Sequence, residues 1–203
     1  MQLAGLTDEH LVEQFLQGNM SAFEELVIRY EQKVFQLAFR LSGNPDDASD
    51  LAQEAFLKVY KSLEQWRGKA TFSTWLYRIV TNTFLDDMRK RKRRPLVALS
   101  LDASIPTEDG EVLREFPSTD PSPEQEYLQR ELQQIVLTAL SELAPDYRVV
   151  LALRDIQGHT YEEIAQITQL NIGTVKSRIS RARAAMRKKL LETEQYVALV
   201  RQR

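Results

Sequence analysis

The sequence predicts an all-α protein: two small helical domains, an N-terminal helical bundle and a C-terminal helix-turn-helix, joined by a flexible acidic linker. Three observations predict it. Apolar residues recur at spacings of three and four through both ends of the chain, with no alternating strand pattern. Helix-start signals recur just ahead of those stripes. Five of the seven prolines fall between Pro95 and Pro123, in a stretch with six acids and one arginine. Such a stretch buries little apolar surface and reads as a linker. It separates residues 1–94 from residues 124–203.

The elements follow in order. A short helix is expected near 8–17. Ser21-Ala-Phe-Glu24 has the form of a capping box, in which the serine oxygen accepts a free N–H and the glutamate reaches back. The helix it opens has Leu26, Tyr30, Val34, Leu37 and Leu41 as its apolar stripe, and Gly43 ends it. Asn44-Pro45-Asp46-Asp47 supplies an N-cap, a proline at the first helical position and two acids at the positive end of the helix dipole. Ala48, Leu51, Ala55, Val59 and Leu63 are its buried stripe. Gly68 separates it from a helix over about 72–93, buried through Phe72, Leu76, Ile79 and Thr83. The C-terminal part is expected to hold a helix near 124–143 and another from Pro145 to Gly158. Thr160-Tyr-Glu-Glu163 is a second capping box, opening a short helix with Ile164, Ala165 and Ile167. Asn171 caps a long last helix with Val175, Ile179, Ala182, Met186 and Leu190 inside.

Composition excludes several classes. There are no cysteines and two distant histidines, His10 and His159, so neither disulfides nor a metal centre is expected. No apolar run approaches the roughly 18 residues of a membrane span. The N-terminus, MQLAGLTDEH, lacks a basic region and an apolar core, so it is not a secretory signal. A cytoplasmic protein without a cofactor is expected, with no direct membrane insertion.

The net charge of −2 hides a strong segregation. From Ile164 to Leu191 there are seven Lys/Arg and no acid. "YEEIAQITQLNIGTVKSRISRARAAMRKKL" therefore reads as a helix-turn-helix. Its first helix braces, and its second presents N-terminal turns to the DNA major groove. Thr174, Lys176, Ser177, Arg178, Ser180 and Arg181 are the candidate contacts. Arginine can bond a guanine edge bidentately, while serine and lysine can hold phosphates. A solvated charged face is the bland alternative, and seven cations without an acid argue against it.

"WRGKATFSTWLYRIVTNTF", residues 66–84, holds both tryptophans. Arg67, Lys69 and Arg78 lie among the rings, and six consecutive basic residues, Arg89 to Arg94, follow. Rings can stack on unpaired bases, and cations can hold the backbone. Core packing is the competing explanation and applies to Phe72 and Leu76; Trp75 suits either. Trp66 and Arg67, beside Gly68 and between helices, are expected to point outward.

Asp50 and Glu54 share a helix face. No third carboxylate or histidine joins them at ligand spacing, so a polar face is favoured over a metal or acid–base site. Asp86-Asp87 reads the same way. His159, at a turn beside Gly158, lacks a nearby serine or aspartate partner that would suggest catalysis, and no Gly-rich phosphate loop is present. Nothing resembles an active site, and no small-molecule substrate is expected.

Taken together, "DLAQEAFLKVYKSLEQWRG", "FSTWLYRIVTN", "YEEIAQI" and "GTVKSRISRAR" resemble the bacterial extracytoplasmic-function (ECF) sigma factors, in family order across nearly the whole chain. The resemblance implies a non-enzymatic factor that binds core RNA polymerase, directs it to specific promoters and melts the −10 region to begin transcription. It implies that Asp50, Gln53 and Glu54 dock on the clamp helices of the largest subunit. It implies that Glu64 to Thr71, with Trp66, Arg67 and Lys69, form the loop that captures a flipped base. Trp75, Tyr77, Arg78 and Asn82 then lie near the melted strand. The C-terminal domain would read the −35 element and bind the flap of the second-largest subunit, with the linker in the RNA exit path. Core polymerase and promoter DNA are the implied partners, joined in many members by an anti-sigma factor. Two other classes compete: a stand-alone duplex-binding regulator, which leaves 66–84 unexplained, and a hydrolase using Asp50 and Glu54, for which the ligand set is poor.

Overall fold

Each capping signal in the chain has a structural outcome. The computed structural model describes residues 3–93, 123–193 and 196, and among these every regular element is helical. Asn44 caps α3 (Pro45–Ser62): its Oδ1 accepts the Asp47 N–H at 2.8 Å, with Pro45 in the first turn. Thr7 caps α1 (Asp8–Leu16). The exception is Ser21. Helix α2 (Met20–Ser42) already includes it, and the cap position belongs to Asn19, whose side chain bonds Gln14 instead. The capping box expected at Ser21 therefore does not form, because Asn19 holds the turn from α1.

Helix α2 ends at Gly43, which is left-handed (φ 88°) and donates to the Phe39 carbonyl. Helix α4 (Phe72–Arg93) lies against α2 and α3. The expected stripes of α2 and α3 are buried at Leu26, Val34, Leu37, Leu41, Ala48, Leu51, Ala55, Val59 and Leu63. Phe72 and Phe84 of α4 are 1% and 2% exposed. Full burial of such a side chain stabilises the fold by about 1.5–3 kcal/mol. Arg91 ties the end of α4 to the start of α3 through Asp47, at 2.8 Å.

The C-terminal half consists of α5 (Pro123–Ser141), α6 (Pro145–Leu151), a π-helical turn Ala152–Ile156, α7 (Tyr161–Thr168) and α8 (Ile172–Glu192). The π turn prolongs α6 toward Gly158, itself left-handed at φ 75°. Residue 94 and the acidic stretch 95–122 lie outside the described residues.

The two halves are not separate. Helix α4 packs on α7, α2 touches α5 and α6, and one apolar cluster runs from Leu11 to Ala182. Gly43 is the point of close approach. A Cβ there would stand 3.2 Å from the Cβ of Ser141, a tight contact, so the left-handed glycine lets the end of α2 and the end of α5 meet without displacement. Patterning assigns each stripe to its own bundle, but the stripes are wide enough to share a core.

Candidate nucleic-acid interface

Helix α7 opens with a full capping box. Thr160 Oγ1 accepts from the Glu163 N–H at 3.1 Å, and Glu163 Oε2 accepts from the Thr160 N–H at 2.7 Å. The Thr160 N–H holds the Glu163 carboxyl below its ordinary range. The turn passes through Gln169, left-handed at φ 56°. Asn171 then caps α8, accepting from the Thr174 N–H at 2.7 Å. Val175, Ile179 and Ala182 are buried, together with Ile164 and Ile167 of α7. That packing fixes which side of α8 faces outward.

Lys176, Ser177, Ser180 and Arg181 lie on the outer side and are exposed, with Thr174 half-buried at the first turn. Arg181 has no ion-pair partner among the described residues. Arg178 has one: its Nη1 pairs with Asp146 of α6 at 3.2 Å, and it is half-buried. The Lys176 ammonium stands 5.8 Å from the Tyr161 ring centre.

In the loop before α4, Gly68 is left-handed (φ 69°), and Arg67, Lys69 and Thr71 are exposed. Thr71 Oγ1 accepts from the Thr74 N–H at 3.3 Å and so caps α4. Trp66 departs from expectation. It turns inward, donating its indole N–H to the Ala70 carbonyl at 3.2 Å and setting its ring edge-on to Phe72 at 6.1 Å. Both its apolar body and its N–H gain partners that way. Trp75 packs on the same phenyl ring at 6.0 Å and is half-buried. Trp75, Arg78 and Asn82 share one side of α4. Asn82 is exposed there, and Arg78 is half-buried with its Nε unpartnered. Tyr77 is not with them. It is 6% exposed and meets the His159 ring edge-on at 5.2 Å, and burial pushes its hydroxyl pKa up.

The polar face of α3 stands clear of the core. Asp50, Gln53 and Glu54 are exposed; Glu54 pairs with Lys58 at 2.9 Å and Gln53 bonds Ser49 at 3.4 Å. Among the described residues, no group of three or more His, Asp or Glu could hold a metal ion. Leu57 completes this face at i+3 from Glu54 and is 59% exposed. It is an exposed apolar residue beside the polar groups, and its position three after Glu54 is readable in the sequence. Patterning gave no sign of a second feature, an apolar groove of about 570 Å³ lined by Val136, Leu140, Leu151, Ile156, Met186 and Leu190. It exists only where α5, the π turn and α8 converge.

Residues 26–94 match the family description Sigma-70 region 2, and residues 133–186 match Sigma-70, region 4. The RNA polymerase sigma-H factor of Pseudomonas aeruginosa is 39% identical over 185 residues, covering 90% of this chain and 93% of that protein. The ECF RNA polymerase sigma-E factor of Escherichia coli is 41% identical over 187 residues, covering 91% and 95%. Among solved structures, the sigma factor RpoE of Bartonella quintana, in complex with the anti-sigma factor NepR, superposes with a TM-score of 0.60 at 28% identity, over 85% of this chain and 98% of that one. CnrH, bound to the cytosolic domain of CnrY, gives 0.62 at 25% identity, over 92% and 98%. With both sigma regions matched in order and relatives about 40% identical along nearly its full length, this chain belongs to the sigma-70 family as an ECF sigma factor, which directs RNA polymerase to promoters.

Proposed function

We propose that the two halves divide the promoter and the polymerase between them, with residues 1–94 serving the −10 element, 124–203 the −35 element and 95–123 the connection. The exposed side of α8 is the observation that supports this best: four polar side chains and a capped N-terminus lie opposite the buried stripe. Arg181, Ser177, Ser180 and Lys176 contact the −35 duplex, and Thr174 holds a phosphate near the helix start. Arg178 joins them by leaving Asp146.

The face of Asp50, Gln53, Glu54 and Leu57 docks on polymerase. Leu57 supplies an apolar centre and the carboxylates a charged rim, the usual division in a protein interface. The groove between α5 and α8 accepts an apolar helix of the flap. The loop from Trp66 to Thr71 takes the melted −10 strand. Trp66 must swing off Phe72 to stack on a base, while Arg67 and Lys69 already face outward. Trp75, Arg78 and Asn82 continue the strand's path along α4.

Tyr77 lies under His159 in the arrangement described above, so the halves separate when polymerase is engaged. An anti-sigma protein is a natural further partner, since the solved relatives RpoE and CnrH are each held in such complexes or by a cytosolic domain. The reading assigns the chain no catalytic step, and its partnership with polymerase places it in the cytoplasm. The test is reconstitution: core polymerase plus this chain should initiate at a promoter that core alone ignores. Specific nanomolar duplex binding by the free chain, with no effect on core polymerase, would favour a stand-alone regulator.

A further inference from the structure

Between the two halves lies a cleft of about 330 Å³ whose polar lining comes from three elements. Helix α2 supplies Lys33, Gln36 and Arg40, α4 supplies Tyr77, and the segment after the π turn supplies Gln157 and His159. Its charge is uncompensated. Neither Lys33 nor Arg40 forms an ion pair with a described residue. Among the described residues, Lys33 leans on the Tyr30 ring, at 5.6 Å. Arg40 is half-buried, and burial pulls its guanidinium below the ordinary arginine value with no carboxylate to offset it. Two further polar atoms, His159 Nε2 and Gln157 Oε1, are buried without a hydrogen-bond partner. Buried polar atoms are nearly always satisfied, so two in one cleft beside two unpaired cations offer a polar ligand a set of bonding groups.

We propose that this cleft binds a small phosphate-bearing anion, of about the size and charge of pyrophosphate, and that the bound anion holds the two halves together. The chemistry matches the lining. A guanidinium fork and an ammonium bond phosphate oxygens strongly. The Tyr77 hydroxyl lines the cleft, and the partnerless Nε2 of His159 is a second polar atom that can bond a phosphate oxygen. A phosphate hydroxyl, or an amide turned to present its N–H₂, satisfies Gln157.

The site has a mechanical consequence. Lys33, Arg40 and Tyr77 belong to one half and Gln157 and His159 to the other, so the complete site exists only while the halves are packed. A ligand that binds one conformation stabilises it in proportion to its concentration over its dissociation constant. The anion thus favours the form in which Tyr77 is covered. That consequence for initiation rests on the reading of Tyr77 given above; the binding itself does not.

The probe is methylenediphosphonate, a non-hydrolysable pyrophosphate analogue, titrated calorimetrically into the full chain. Saturable binding at one site per chain is expected. Arg40→Gln and Lys33→Gln should each weaken it about tenfold or more, as loss of a charge-assisted hydrogen bond does. His159→Ala should weaken it too, because the second half takes part. Lys33 is exposed, so its variant folds even if that of Arg40 does not. A short single-stranded oligonucleotide should fail to displace the analogue; displacement would identify the cleft as a strand-phosphate site and overturn the small-anion assignment. No saturable binding, or equal binding by wild type and the Lys33 variant, overturns the proposal. Binding unchanged by His159→Ala overturns its link to the packed form. None of these readouts uses a promoter, so a failure of the promoter reading leaves them intact.

Discussion

One guanidinium nitrogen of Arg148, in α6, donates to the carbonyl oxygen of Leu41, near the end of α2, across 2.5 Å and 107 positions of sequence. The other terminal nitrogen bonds the carbonyls of Ser141 and Leu143, and the guanidinium lies 5.4 Å from the Phe84 ring centre. Arg148 is 7% exposed, and burial lowers its pKa from the ordinary arginine value. A charge withdrawn from water is held here by three carbonyls and a ring. It pins the C-terminal half to the N-terminal half beside Gly43.

Arg148→Lys keeps the charge but loses the planar fork, and cannot serve all three carbonyls. The unpaired buried carbonyls should cost about 1–3 kcal/mol. The halves should part more often, uncovering Tyr77. Because the wild-type chain has no cysteine, one can be introduced in each half for a donor–acceptor pair. Urea midpoints and the inter-label distance are the measurements. A lower midpoint with an unchanged distance would make Arg148 an internal brace of its own half.

Asp50→Lys, Glu54→Lys and Leu57→Asp should each weaken the complex with core polymerase and leave the thermal midpoint within a degree or two, since all three positions are exposed. A reversed charge at an interface loses far more than one on a solvated face. Pull-down of core polymerase alongside a melting curve separates the outcomes. Lost stability with unchanged binding per folded molecule would return this face to internal structure.

The Asp47–Arg91 pair makes stability depend on pH. The Arg91 hydrogen bond is the main cause that holds the Asp47 carboxyl below its usual range. The folded pKa lies below the unfolded value of about 3.9, so the folded state favours the carboxylate. The contribution is therefore fully present above about pH 5 and is lost as pH falls through the folded pKa. Arg91 is half exposed, so salt should reduce it. Wild type should exceed Asp47→Asn in stability at pH 7, and the two should converge near pH 2. Denaturant titrations across that range, at low and high salt, are the check; a constant difference would assign the effect to the Asn44 cap alone.

Local signals were legible where one residue and its near neighbours decide the outcome. Asn44, Thr160 and Asn171 cap their helices because each needs only an N–H three positions on. Gly43 stops α2 for an equally local reason. Ser21 failed because Asn19 competes for the same turn, and a short-range pattern cannot rank two candidate caps. The outer face of α8 followed from its inner stripe. The inward turn of Trp66 is not legible because it depends on Phe72 and Ala70 folding back around it. The joining of the halves was invisible: nothing near Arg148 in sequence points to Leu41, and nothing near Tyr77 points to His159. The mutual arrangement of two amphipathic bundles is set by contacts that sequence periodicity does not encode.

Substitutions at the two DNA-reading sites should affect different steps of initiation. Trp66 begins on Phe72, so its use in melting exchanges a ring contact and the bond to Ala70 for a stacked base, worth about 1–3 kcal/mol. Trp66→Ala should slow open-complex formation on duplex promoters. The defect should shrink on templates whose −10 region is already unpaired, because the unpairing cost is then absent. It should not vanish, since the stacking partner is still missing. Arg181→Ala should instead weaken initial binding on both templates alike. If Arg181 contacts a base, the loss should be about 1–3 kcal/mol with relaxed preference at one −35 position; if a phosphate, the salt dependence should flatten by about one unit of slope. Arg178→Ala should have a smaller effect than Arg181→Ala, because Arg178 gives up the Asp146 pair before it can reach DNA. Asp146→Ala should then strengthen binding by releasing it. The measurement is open-complex formation on matched duplex and pre-melted promoters over a salt series. An equal Trp66→Ala defect on both templates would place this residue in the core beside Phe72 and remove it from melting.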